Sequence, residues 1–147
     1  TYAKDTIQIT FFGESKEEHI SVDTLLADLA EHGYEDIMFP EAFLFDDGCK
    51  ASLPRYSAVN KIEQVLFDIY MQEKKYTLCI NKNSAAQTTN IPDLDNAQTV
   101  VVEDINIYVF EYDDGLCGIE FFQEEYYCFI FAYVPYSEMV DIAETIK

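Results

Sequence analysis

The sequence predicts an α+β domain: a curved antiparallel sheet of about five to seven strands, with an amino-terminal and a carboxyl-terminal helix packed on one face. Three observations point there. From Ile62 onward apolar residues recur with period two. Two stripes of helical spacing, Val22 to Leu29 and Met139 to Ile146, flank that stretch. The pairs Glu103-Asp104 and Glu124-Glu125 and the triplet Asp113-Asp114-Gly115 break it into strands joined by short acidic turns. The 147 residues are read as a single domain, 1–147. A chain of this size buries roughly 70% of its unfolded surface, so its core requires neither metal nor disulfide.

The elements follow in order. Ile7 to Phe12 alternates, and residues 13–18 form a polar loop leading into the first helix. Ser21 is an N-cap candidate, Val22, Leu25, Leu26 and Leu29 form one buried stripe, and Gly33 supplies a left-handed stop, which places helix one at about 21–32. Pro40 opens a turn or a brief helix, and Asp46-Asp47-Gly48 closes it as a turn. Val65, Phe67, Ile69 and Met71 make one face of a strand; after Glu73-Lys74-Lys75 the run Tyr76 to Asn81 returns as its hairpin partner. Residues 82–97 read as a long exposed loop. Thr99 to Val102, Ile105 to Tyr112, Leu116 to Gln123 and Tyr126 to Val134 then form an antiparallel meander. Pro135 ends the last strand, and Met139, Ile142, Ala143 and Ile146 give a terminal helix its apolar stripe.

The strand faces carry the functional clue. Ile105, Ile107 and Val109 oppose Tyr108, Phe110 and Tyr112 across one strand. Tyr127, Phe129, Phe131 and Tyr133 oppose Tyr126, Cys128, Ile130, Ala132 and Val134 across another. An antiparallel sheet with one wet face alternates apolar with polar, so both faces here call for cover. Two helices cover one face. The other either packs its own rings or holds a ligand or partner, and the candidate ligand-binding rings are Tyr108, Phe110, Tyr127, Phe129, Phe131 and Tyr133.

The same register tests a disulfide. With Glu124-Glu125 as a two-residue turn, Cys128 faces Phe121 and Cys117 faces Ala132, about 13 Å apart along the sheet at the usual strand rise. A bond between those two thiols is therefore not expected. The spacing of Cys49, Cys79, Cys117 and Cys128 contains no CxxC pair for zinc or redox exchange, and buried free thiols are the expectation.

Acids outnumber bases 28 to 9, for a net charge of −19. From Asn83 to Ile146 the chain carries no Lys, Arg or His. Such a surface repels phosphate backbones and anionic lipid, which argues against nucleic-acid partners and direct membrane adhesion, and leaves a basic partner open. Asp93-Leu94-Asp95-Asn96 and Glu111-Tyr112-Asp113-Asp114 offer oxygen ligands to calcium, yet the first lacks the Gly and Glu that complete an EF-hand loop. His19 and His32 are the only histidines and join no metal or nucleophile motif; both read as surface residues. No Trp, a single Arg at position 55 and isolated glycines give little material for sugar platforms, anion clamps or phosphate loops. The reading is a non-enzyme with no cofactor and no metal.

Residues 98–147 carry a resemblance. Ile105-Asn106-Ile107-Tyr108-Val109-Phe110, Gly118-Ile119-Glu120-Phe121-Phe122, Tyr126-Tyr127-Cys128-Phe129-Ile130 and the segment Tyr136 to Ile146, with Ser137, Glu138, Ala143, Glu144 and Ile146, resemble an uncharacterised domain family. That domain of unknown function lies at the extracytoplasmic carboxyl end of anti-sigma-factor-like and other membrane-anchored proteins of Gram-positive bacteria. Ser137 and Glu138 are adjacent where the pattern has an intervening residue, and Phe121-Phe122 stands where the family has a Trp. The resemblance implies an extracytoplasmic, noncatalytic domain, similar to lipoprotein-carrier half-barrels, and transfers no catalytic residue. The chain opens on Thr1 without a leader, which suggests a preceding signal or membrane anchor.

Two functions follow as expectations. One is an extracytoplasmic binding or sensory domain, membrane-anchored or secreted, that holds an apolar small molecule or a partner segment on its aromatic face. The other is a soluble, cytoplasmic acidic inhibitor or immunity-type protein that caps a basic partner.

Overall fold

The computed structural model describes residues 18–82 and 97–147. Its frame is one antiparallel sheet of nine strands: β1 (His19–Ser21), β2 (Lys50–Ser52), β3 (Arg55–Val59), β4 (Ile62–Met71), β5 (Lys74–Lys82), β6 (Gln98–Val102), β7 (Ile105–Glu111), β8 (Cys117–Gln123) and β9 (Tyr126–Ala132). The spatial order is β1-β2-β4-β5-β9-β8-β7-β6, with β3 also paired to β4. The helices are α1 (Val22–Glu31) and α2 (Tyr136–Glu144), with a 3-10 turn at Glu41–Phe43. Among the described residues the sheet is not closed into a barrel, and no helix is long and apolar enough to cross a membrane.

The α+β class with an antiparallel sheet stands, but the strand count exceeds the expected five to seven. The extra strands are β1, β2 and β3, each too short or too polar to announce itself by alternation. β2 and β3 lie end to end along β4: Ala51 faces Ile69 and Arg55 faces Leu66. Pro54 stands between them and has no N–H to offer a ladder. At this break the Ser52 hydroxyl accepts from Asp68 N at 2.9 Å, so the buried backbone donor remains satisfied. The alternating run Ile7 to Phe12, the loop over 82–97 apart from its two end residues, and the calcium candidates Asp93 to Asn96 lie outside the described residues.

Local chemistry explains the element ends. Ser21 Oγ accepts from Thr24 N at 3.1 Å and caps α1, while Gly33 adopts φ +90° just beyond its last turn. The β4–β5 hairpin turns on Gln72-Glu73, both at positive φ (53° and 64°), so Lys74 and Lys75 belong to β5 rather than to the turn expected from sequence. Glu103-Asp104 joins β6 to β7 in the same way, with φ 49° and 68°. Paired left-handed residues match the twist of a tight hairpin even without glycine. The β8–β9 register is the expected one, with Gln123 opposite Tyr126, Phe121 opposite Cys128 and Cys117 opposite Ala132.

The core lies on the first face of the sheet. Val65, Phe67 and Ile69 of β4, Tyr76, Leu78 and Ile80 of β5, Cys128, Ile130 and Ala132 of β9, Ile119 and Phe121 of β8, and Ile107 and Val109 of β7 form one buried cluster. Leu25 and Leu29 of α1, Phe43, and Met139, Ile142 and Ala143 of α2 close it from above. Each fully buried Leu, Ile or Phe contributes about 1.5–3 kcal/mol in apolar transfer, so this cluster dominates stability. The carboxyl end is tied down as well: Phe39 N donates to Lys147 O (2.9 Å) and Lys147 N to Phe39 O (3.2 Å). All four cysteines are buried free thiols.

Candidate functional site

Because strand residues alternate in direction, everything that covers the first face leaves a second set of side chains on the other. The register places them in rows. Tyr108 of β7 faces Glu120 of β8, which faces Phe129 of β9, then Cys79 of β5 and Leu66 of β4. One row runs Phe110, Gly118, Phe131, Thr77, Asp68; another runs Phe122, Tyr127, Asn81, Gln64. The rows are aromatic over β7 and β9, with Phe122 added from β8, and mostly polar over β4 and β5. None of these residues belongs to the first-face cluster.

The rings touch in an unbroken series. Phe122 stacks on Tyr127 with centroids 4.5 Å apart and planes 11° apart. Tyr127 meets Phe129 at 5.4 Å, and Phe129 meets Phe131 edge-on at 5.1 Å. Phe131 then contacts Phe110 at 6.3 Å and Tyr112 at 6.4 Å, and Phe110 and Tyr112 close the end at 5.5 Å. Offset and edge-on contacts of this kind add about 0.5–1.5 kcal/mol each beyond area burial. Within this surface lies Glu120, 1% exposed, whose carboxylate accepts from the Tyr127 hydroxyl. A buried carboxylate needs such donors to remain tolerable.

The six rings singled out from the sequence divide here. Phe110, Tyr127, Phe129 and Phe131 belong to the ring series, and Tyr108 lies on the same face in the Glu120 row. Phe110 is 2% exposed and lies across Gly118, so it serves the sheet itself. Phe129 and Phe131 are half-buried and present surface. Tyr133 falls beyond the end of β9, is 69% exposed, and donates its hydroxyl to Asp114 Oδ2 at 3.0 Å. Phe122, Tyr112 and Glu120 were not among the candidates. The Gln123–Tyr126 register already implied Phe122, since it sets that ring opposite Tyr127.

The polar part of the face is knitted internally. Gln64 Nε2 donates to Cys79 Sγ at 3.1 Å and to Asn81 Oδ1 at 3.0 Å, and Thr77 Oγ1 donates to Asp68 Oδ1 at 2.8 Å. Burial pushes the Cys79 thiol up to about 11 despite the Gln64 contact, as it does for Cys49 and Cys117. Cys128 shifts in the same direction for the same reason. Protonated, enclosed thiols are poor nucleophiles. His19 and His32 are exposed, His32 stacking on Tyr56 at 3.9 Å while the Tyr56 hydroxyl donates to Asp28 Oδ2 at 2.6 Å. Among the described residues no group of three His, Cys, Asp or Glu is placed to hold a metal ion.

Among the described residues, open cavities lie beside the sheet. One, of about 640 Å³, lies by His32, Tyr34, Tyr56, Lys61 and Glu63. A second, of about 520 Å³, lies at the end of the aromatic face and is lined by Tyr112, Asp113, Asp114, Leu116 and Phe131. The second adjoins the ring series at Tyr112 and Phe131. Compared with protein-family models, curated proteins and solved structures, the chain finds no match.

Proposed function

We propose that this chain is a noncatalytic binding module whose aromatic sheet face receives an apolar ligand or the apolar side of a partner segment. One observation carries the reading: among the described residues both helices and the 3-10 turn pack on the first face, while Phe122, Tyr127, Phe129 and Phe131 form a continuous ring surface on the second. Tyr127 is 6% exposed and Phe122, Phe129 and Phe131 are half-buried, so the series presents partial ring area at three of its four members, the kind of apolar area that binding sites use. Half-buried Phe129 and Phe131 offer area to an occupant, and fully buried Phe110 and Ile119 hold the platform rigid. The resemblance of residues 98–147 supports an extracytoplasmic setting for the module.

The test is binding of a neutral apolar fluorophore, N-phenylnaphthylamine, to the wild type, to Phe129→Asp and to Phe45→Asp. Phe45 is 76% exposed and outside the ring series, so its variant controls for a general loss of apolar surface. The expected result is saturable binding that Phe129→Asp abolishes and Phe45→Asp retains, with both variants folded by circular dichroism. Unfolding of Phe129→Asp, or equal loss in both variants, overturns the proposal.

A further inference from the structure

The cavity at the end of the aromatic face has a chemistry of its own. Its walls are the Tyr112 and Phe131 rings, tilted by 35° with centroids 6.4 Å apart, and the Leu116 side chain; Asp113 and Asp114 stand exposed at its rim. Asp114 is held in place, accepting from Leu116 N at 3.1 Å and from the Tyr133 hydroxyl at 3.0 Å. Those two contacts, the Leu116 bond first, lower the Asp114 carboxyl below the usual carboxylate range. Nearby charge is also negative: burial first, and then Glu120, raises the Tyr112 hydroxyl above its ordinary value. Lys74 lies on the other face, engaged by Glu138 at 2.6 Å, and exposed Lys75 is the β5 cation that shares the parity of Thr77 and Phe131. From Asn83 to Ile146, the span that supplies every residue of the cavity wall, the sequence has no Lys, Arg or His.

Aromatic walls with a fixed anionic rim suit one kind of group. A ring face attracts a cation lying within about 6 Å of its centroid. A guanidinium is planar, weakly hydrated and able to stack on a ring while its fork of N–H donors meets a carboxylate. A compact ammonium stacks less well and keeps its water more tightly. We propose that this cavity takes an arginine side chain from a basic partner segment that lies along the aromatic face. The inference rests on the binding-face reading for the position of the segment, and adds the partner's charge and the residue that anchors it. The anionic surface would also speed encounter with such a partner and make binding salt-dependent.

The experiment uses the 15N-labelled full chain and three probes at matched ionic strength: N-acetyl-arginine amide, N-acetyl-lysine amide and the neutral isostere N-acetyl-citrulline amide. The expected result is saturable amide shifts confined to residues 112–116 and 131–133 with the arginine probe, weaker ones with lysine and none with citrulline. Asp114→Asn and Phe131→Leu are each expected to weaken arginine binding by about two- to thirty-fold, the range a cation–aromatic contact supplies. Wild-type dispersion of the remaining amides reports that the variants fold. Equal response to citrulline, or arginine shifts spread evenly over the Glu103-Asp104 and Glu124-Glu125 turns, overturns the assignment. N-phenylnaphthylamine binding in the same samples separates that failure from failure of the aromatic face itself.

Discussion

Gly118 offers the sharpest test of how the aromatic face is built. A Cβ placed there would lie 2.4 and 2.6 Å from the Cζ and Cε2 atoms of Phe110. Carbon contacts optimise near about 3.5–4.0 Å, so an added methyl would force the ring to move by about an ångström. Phe110 has little room, being 2% exposed and held edge-on by Tyr112 at 5.5 Å and Phe131 at 6.3 Å. Overpacking a filled site costs about 1–3 kcal/mol. The usual effect of Gly→Ala within a strand has the opposite sign, a gain of roughly 0.5–1 kcal/mol. Gly118→Ala is therefore expected to lose between about 0 and about 2.5 kcal/mol net, the overpacking cost less that gain. Phe110→Leu removes the ring edge that meets the methyl, so Gly118→Ala in that background should be neutral or stabilising. Urea unfolding of the four proteins in the cycle measures the coupling, expected at about 1–3 kcal/mol. A stabilising Gly118→Ala in the wild-type background would refute the placement of the ring across Gly118.

Other expectations follow from the same contacts. Ser21→Ala removes the α1 cap on Thr24 N and should cost about 0.5–2 kcal/mol in urea unfolding, with Ser21→Asp recovering most of it. Tyr56→Phe deletes the 2.6 Å donor to Asp28 and should cost about 1.5–3 kcal/mol as a hydrogen bond to a charged group, less for its partial exposure; an unchanged midpoint contradicts that contact. The buried thiols of Cys49, Cys79 and Cys117 hold their protons up to about pH 11, whereas an unfolded chain releases them near 9. Stability contributed by the neutral thiols is thus complete below pH 9 and is lost as pH rises toward 11, which denaturation at stepped pH measures. Consistently, Ellman's reagent at pH 8 should label the native protein slowly and the urea-unfolded protein fully.

Much of this architecture could be read before the fold was known. Both helices announce themselves by the Val22–Leu25–Leu29 and Met139–Ile142–Ala143 stripes, and all six of these residues are buried as spaced. Hairpin register between β8 and β9 followed from a single assumption about the Glu124-Glu125 turn. What escaped were β1, β2 and β3, because strands of three to five residues take their conformation from the partner edge rather than from their own pattern. β3 is polar and exposed at Arg55 and Ser57, so nothing in its composition requires a sheet. Site residues were legible to the extent that parity is: Tyr127, Phe129 and Phe131 share a face by alternation alone. Alternation does not tell a ring that packs from a ring that presents surface. Phe110 and Phe131 are paired with the same Gly118 from opposite sides, yet one is buried and the other is half open. Tyr133 keeps the right parity but passes the end of the strand, where parity no longer fixes direction.

We propose that an occupant sits on the second face of the sheet and not on some other apolar surface. Chemical-shift mapping of the full chain during titration with N-phenylnaphthylamine tests it most directly. Saturable shifts are expected centred on Tyr108, Phe122, Tyr127, Phe129 and Phe131, with Leu25, Ile107 and Met139 on the first face unmoved. Shifts centred instead on the exposed Leu44, Phe45 and Leu53, or no saturable response at any residue, would contradict it.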